Sequence, residues 1–192
     1  EDDNYQLAYK KMEKIAFNLG KKVSQEIEVF NALLADFVSI ENGRLFEFGR
    51  GLAEGSHNRA RIWILLRNKL NRTDEEKQSI RVMQGFISYL AEYDITLYNS
   101  ILDKIILKDK FLEQWFPIFQ SASLIEKNGI QRLHKSLDNG RSRMYTYKYM
   151  NYGNAGISIN DDDLSQLLMK ILTKEGGSDI VIDILHVKFL RS

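Results

Sequence analysis

Three glycines, Gly49, Gly51 and Gly55, are spaced like the start of a phosphate-cradling loop. A dinucleotide loop needs a strand before it and a helix after it. Here the glycines lie inside a helical pattern carried by Leu45, Phe46, Phe48 and Leu52. They read instead as small residues where two helices approach closely. No GxxxxGKS or GxxxxGKT stretch occurs in the chain, so it holds no ATPase site of that type. Asp161, Asp162 and Asp163 are three adjacent hard ligands. A calcium ion wants six or more oxygens from a shaped loop, and three acids opening a helix are more simply capping and dipole residues. His57, His134 and His186 stand far apart, with no His or Cys at ligand spacing. No serine or carboxylate stands out as their partner. The sequence therefore nominates no catalytic residue, no cofactor and no metal, and the chain reads as non-enzymatic.

The run from Arg132 to Tyr152 is the best binding candidate. It sets Arg132, Lys135, Arg141, Arg143 and Lys148 against Asp138 alone, with Tyr145, Tyr147, Tyr149 and Tyr152 interleaved. On an α-helix Tyr145, Tyr149 and Tyr152 share one face, while Tyr147 and Lys148 point elsewhere. Tyrosine and arginine dominate interface hot spots. The candidate partner-binding set is Arg141, Arg143, Tyr145, Lys148, Tyr149 and Tyr152. The plainer reading is that the rings pack a neighbouring helix and the cations are solvated.

The elements that would hold these residues are helices. The reference unit runs from Asn42 to Leu70. Its first helix carries Leu45, Phe46, Phe48 and Leu52. Ser56 is placed to cap the second, whose stripe is Ile62, Trp63, Leu66 and Leu70. Ile80 to Leu90 and Leu97 to Ile105 form the next pair, with Asp94 as cap. Phe111 to Phe119 pairs with Ile130 to Leu137, and Met144 to Tyr152 with Leu164 to Leu172. A last helix starts near Ser178. The first helices of the units start near 43, 77, 110, 142 and 178, a step of roughly 33 residues that marks helical-hairpin repeats such as TPR or HEAT units.

Before the reference unit, residues 3 to 19 read as a helix with Tyr5, Met12, Ile15 and Leu19 inward and Gly20 as C-cap. A second helix reads from Val23 to Ile40, with Val23, Ile27, Phe30, Leu34 and Phe37 in helical period. Thr73 and Glu76 fit a capping box. Pro117 should kink or shorten its helix. Asn128-Gly129 and Asn139-Gly140 read as turns, and Asn160 or Asp161 caps the helix that follows. Residues 144 to 150 and 179 to 187 are rich in β-formers, so an edge hairpin is open at either. The repeat register favours helix at both.

Composition bounds the rest. The chain has 192 residues, 44% of them apolar and 28% charged, with one proline, no cysteine and a formal charge of +1. This is globular composition. The charge gives no global field for nucleic acid. Disulfides and thiolate metal sites are excluded, and a reduced cytoplasm fits. No apolar run approaches the roughly 20 residues of a membrane span. The first residue is Glu and the last helix lacks a partner, which suggests a segment of a longer protein.

The expected fold is all-α: antiparallel helical hairpins stacked as a TPR/HEAT-like right-handed α-solenoid. It forms a single domain over 1–192, with a first hairpin at 1–41 and repeats over 42–192. Four stretches, FGRGLAEG (48–55), WFPIFQSA (115–122), YKYMNYGNA (147–155) and GGSDIVIDILHVKF (176–189), carry a resemblance. They resemble the long C-terminal helical regions of large bacterial STAND-type NTPases, a group that includes Avs-type antiviral defence proteins. In that group an N-terminal effector and a central NTPase precede a repeat region that senses a ligand, often a foreign protein. The resemblance implies a sensor or scaffold role and a protein partner, and carries over no catalytic residue. The alternative is a nucleic-acid-binding helical repeat that uses the run 132–152.

Overall fold

The computed structural model describes residues 2–151 and 155–191. Every regular element among them is helical. The stretches 144–150 and 179–187 are helix, not strand. The chain divides into two compact units, Glu1–Leu97 and Tyr98–Ser192.

The first unit contains α1 (Asp2–Gln25), α2 (Ile27–Phe37), α3 (Leu45–Gly55), α4 (Arg59–Leu70), a 3-10 turn at Glu75–Lys77, and α5 (Arg81–Tyr93). Helix α3 lies between α1 and α5. The approach is backbone to backbone. A side chain at Gly51 would overlap the Phe17 carbonyl of α1, and one at Gly20 would overlap the Phe48 carbonyl of α3. The α3–α5 seam repeats this reciprocity. Gly49 meets the Val82 carbonyl, and Gly85 meets that of Phe46. Residues two apart on a helix face nearly opposite ways. The Gly-Arg-Gly at 49–51 thus frees both flanks of α3 at one level, allowing close Cα–H···O contacts.

Helix α2 packs on α1 and α4, and α4 packs on α5. Phe30, Leu52, Leu66, Leu70, Met83 and Phe86 are fully enclosed. The Trp63 and Phe86 rings lie 6.1 Å apart. The stripe Ile62, Trp63, Leu66 and Leu70 is buried as its spacing requires.

Several local expectations are corrected. Gly20 is no C-cap: α1 continues through it to Gln25, because α3 needs the space. The helix expected at 23–40 is broken at Glu26. Met12, Ile15 and Leu19 face outward, at 37%, 50% and 53% exposure. Asn58, not Ser56, caps α4, its side chain accepting from the Arg61 amide at 3.0 Å. Thr73 makes no capping box, since its hydroxyl donates to the Lys69 carbonyl at 3.0 Å. Asp94 does accept from the Leu97 amide, at 3.3 Å.

The second unit holds most of α6 (Ile95–Lys108), a 3-10 helix at Leu112–Trp115, α7 (Phe116–Gln120), α8 (Lys127–Asn139), a 3-10 helix at Met144–Asn151, α9 (Asp161–Leu172) and α10 (Gly177–Arg191). Helix α7 packs on the 144–151 segment, which packs on α10, while α8 lies on α7 and α9. Pro117 sits in the first turn of α7, where its missing N–H costs nothing. Gly129 lies inside α8 and not in a turn. Gly140 ends that helix at φ 66°, a left-handed cap. Asn160 caps α9 by accepting from the Asp163 amide at 2.9 Å. Tyr98 donates its hydroxyl to the Gln120 carbonyl and accepts from Ser123 Oγ, both at 3.0 Å.

Candidate functional site

The basic and aromatic run is built around one buried carboxylate. Glu113, in the 3-10 helix at 112–115, is 1% exposed. An unpaired charge there would be prohibitive. Asn139 Nδ2 donates to its Oε1 at 2.6 Å, and Arg141 Nη1 donates to its Oε2 at 2.7 Å. Asn139 closes α8, so the left-handed turn at Gly140 delivers Asn139 and Arg141 to the same carboxylate.

A directed chain of hydroxyls extends the cluster. Tyr147 donates to Ser136 Oγ at 2.8 Å. The Ser136 and Ser142 hydroxyls are 2.5 Å apart, and Ser142 donates to the Glu113 carbonyl at 2.6 Å. Ser142 spends its one proton on that carbonyl, so Ser136 is the donor between the two serines. Burial pushes the Tyr147 phenol up to about 12 against the lowering effect of its serine contacts. These groups form a closed lock between α8 and the segments that flank it. The network pairs no exposed nucleophile with a base.

The two guanidiniums of the candidate set are in structural use. Arg141 neutralises Glu113 while keeping 42% of its side chain in solvent. Arg143 lies over the Trp115 ring at 5.5 Å, and its amide donates to the Gln114 carbonyl at 3.0 Å. Arg132, earlier in the run, donates to Asp103 at 2.8 Å and to Asn99 at 2.9 Å. Little free positive charge is left at this face.

The tyrosines do not stack as α-helical spacing predicts, because 144–151 is a 3-10 helix. Side chains three apart eclipse there. Met144, Tyr147 and Met150 therefore share a stripe, of which Tyr147 and Met150 are buried. Tyr145 and Lys148 share another, with Tyr145 45% exposed. Tyr149 is half-buried on a third. Tyr152 lies outside the described residues. Of the described members of the set, Arg141 and Tyr145 are exposed, while Arg143, Lys148 and Tyr149 are half-buried.

Two of the three adjacent acids serve structure. Asp161 pairs with Lys188 at 2.5 Å, and Asp163 accepts from Asn160 Nδ2 at 2.7 Å. His57 and His186 are exposed, and His134 is half-buried. Burial, and then the nearby Lys170 charge, hold the His134 pKa below its ordinary value. Among the described residues no three His, Asp or Glu side chains converge as a metal site. No described helix is long and apolar enough to cross a membrane.

Two concavities lay outside sequence reasoning, because their walls come from residues far apart in the chain. An apolar groove of about 200 Å³ is lined by Met150, Ile157, Leu164, Ile184 and Val187. A polar cleft of about 620 Å³ lies in the first unit beside Lys21, Glu54, His57, Arg59 and Asp94. Its charges are already paired, Lys21 with Glu54 at 2.6 Å and Arg59 with Asp94 at 3.3 Å. Comparison with family models, with curated proteins and with solved structures finds no match for this chain.

Proposed function

We propose that this chain is a non-catalytic helical-repeat segment that binds a protein partner. In this reading it is a stack of antiparallel hairpins of the TPR/HEAT-like right-handed solenoid kind. It acts as the sensor or scaffold of a larger cytoplasmic signalling or antiviral NTPase, as the resemblance to STAND-type proteins implies. The observation that carries the repeat reading is the double use of α3. Its two flanks meet α1 and α5 through the same glycine-to-carbonyl device. A helix that uses one mode of contact twice is what stacking of like units requires. The partner surface in this reading is built on exposed Tyr145 and Arg141, with Lys148 three residues on from the ring adding a second cation. Its arginines already answer protein groups, which favours a protein ligand over a phosphate backbone.

The test substitutes Tyr145→Ala with Lys148→Ala in the NTPase that carries this segment. Partner-triggered activity should fall at least tenfold with the melting temperature unchanged. Normal activation with the fold intact would overturn the assignment of this surface. In parallel, the isolated chain is titrated against 30-nucleotide DNA and RNA. Tight binding that weakens steeply with added salt would replace the protein-ligand reading with a nucleic-acid one.

A further inference from the structure

We propose that Asn42 is a self-modification site, where the Gly43 backbone nitrogen displaces the side-chain amide and water opens the ring so formed. Asparagine followed by glycine is the pair in which this cyclisation is least hindered, because glycine has no side chain to crowd its nitrogen. The chain contains three such pairs, at 42–43, 128–129 and 139–140. The structure separates them.

Asn139 is held at both reacting groups. Its Nδ2 donates to Glu113 Oε1 at 2.6 Å and to the Ile106 carbonyl at 3.1 Å, while the Gly140 nitrogen donates to the Ser136 carbonyl at 3.1 Å. Asn128 stands in the first turn of α8. Helical backbone turns the Gly129 N–H along the axis, away from a side chain that reaches outward, and Gly129 is buried against Gln120 and Ile125. Asn42 has neither protection. It is exposed and lies outside the helices. Neither its Nδ2 nor the Gly43 nitrogen has a hydrogen-bond partner among the described residues. Its Oδ1 accepts from the Arg44 amide at 3.0 Å. That bond folds the side chain back over the Gly43 peptide and stabilises the negative charge that the carbonyl oxygen gains under attack.

Hydroxide takes the Gly43 N–H proton, the nitrogen bonds to Asn42 Cγ, and the Cγ–Nδ2 bond breaks with release of ammonia. One water then opens the cyclic imide. Water at Cγ breaks the new bond and leaves aspartate. Water at the backbone carbonyl breaks the original peptide bond and leaves isoaspartate, with the chain running through Cγ. Position 42 is a joint, so the second product matters. Just before it, Glu41 Oε2 accepts from Ser79 Oγ at 2.7 Å, and the Val38 carbonyl accepts from the Ser79 amide at 2.8 Å. Just after it, the Asn42 carbonyl accepts from the Leu45 amide at 3.0 Å, where α3 begins. Isoaspartate adds a methylene to the backbone here and turns that carbonyl into a free carboxylate, which slackens the tie between the Ser79 clip and α3.

Trypsin places the three pairs on separate peptides, 23–44, 128–132 and 136–141. The folded chain is held for days in mildly alkaline buffer and the peptides are weighed, with the site read by fragmentation. Asn42 should exchange its NH2 for OH at least tenfold faster than Asn128 or Asn139. Gly43→Ala should slow that exchange at least tenfold and leave circular dichroism unchanged, since a side chain there meets nothing within 4 Å. In urea all three sites should convert at comparable rates. Comparable rates in the folded chain, or a faster one at Asn128 or Asn139, would overturn the proposal. So would a rate at Asn42 that rises on unfolding as much as at the other two, because the loop would then be protecting it.

Discussion

Gly51 on α3 lies against the carbonyl of Phe17 on α1, with no space for even a methyl group. The obstruction is backbone, which cannot swing aside as a side chain can. Gly51→Ala should therefore force α1 and α3 apart and cost about 3 kcal/mol. Gly43→Ala is the matched control, since a side chain there meets nothing within 4 Å. Its urea midpoint should stay within about 0.5 kcal/mol of wild type. Equal midpoints for the two variants would show that the helices do not touch at Gly51.

Trp63 is 7% exposed and rests near Phe86. Trp63→Ala removes a large ring from a site whose walls are buried helix, so little collapse can fill the void. We expect a loss of about 3–5 kcal/mol, read from urea unfolding followed by circular dichroism. An unchanged midpoint would contradict the packing.

Arg141→Ala strips the charged partner from a buried carboxylate and leaves only the Asn139 amide on it. A cost of about 2 kcal/mol is expected, moderated by the half-open position of Arg141. Glu113→Gln removes the charge and keeps the shape. In the double variant the loss should be smaller than the sum of the two single losses by about 1 kcal/mol or more. Strict additivity in the thermal or urea cycle would mean that the two groups are not coupled.

Alkaline pH should unfold the second unit. Burial raises Tyr98 and Tyr147 from 10.0 to about 12. A phenol that holds its proton more tightly when folded contributes stability that is fully present below pH 10. That contribution is lost as pH climbs from 10 towards 12. Each ring accounts for up to about 2–3 kcal/mol of this loss. Absorbance of the phenolate and circular dichroism should change together across that window. Tyr147→Phe should remove about half of the pH dependence, and an unaltered profile would argue against its burial.

Much of the helical pattern was legible in the residues. The Trp63 stripe, the Asp94 and Asn160 caps and the buried glycines of α3 follow from spacing alone. What escaped has physical causes. Gly20 looks like a helix end because glycine usually serves there, yet close approach needs the same missing side chain. Residues 144–151 wind at period 3.0, so a face drawn at 3.6 groups the wrong tyrosines. Met12, Ile15 and Leu19 were expected inside because apolar periodicity marks a contact face without saying whether the contact is made within the chain. The Glu113 lock left no local signal, since a lone acid between Leu112 and Gln114 looks like any solvated residue.

The lock also sets a timetable. Glu113 precedes Asn139 by 26 residues and Arg141 by 28. At ribosomal rates of about 5–20 residues per second, its partners arrive roughly one to five seconds after it does. Until then the carboxylate must stay in water, and it holds Trp115, two residues on, away from its final seat. Closure around Leu112–Trp115 therefore waits for the last turn of α8. A released chain truncated between residues 120 and 138 lacks both partners of Glu113 and should present Trp115 to solvent, where its fluorescence reports the open site.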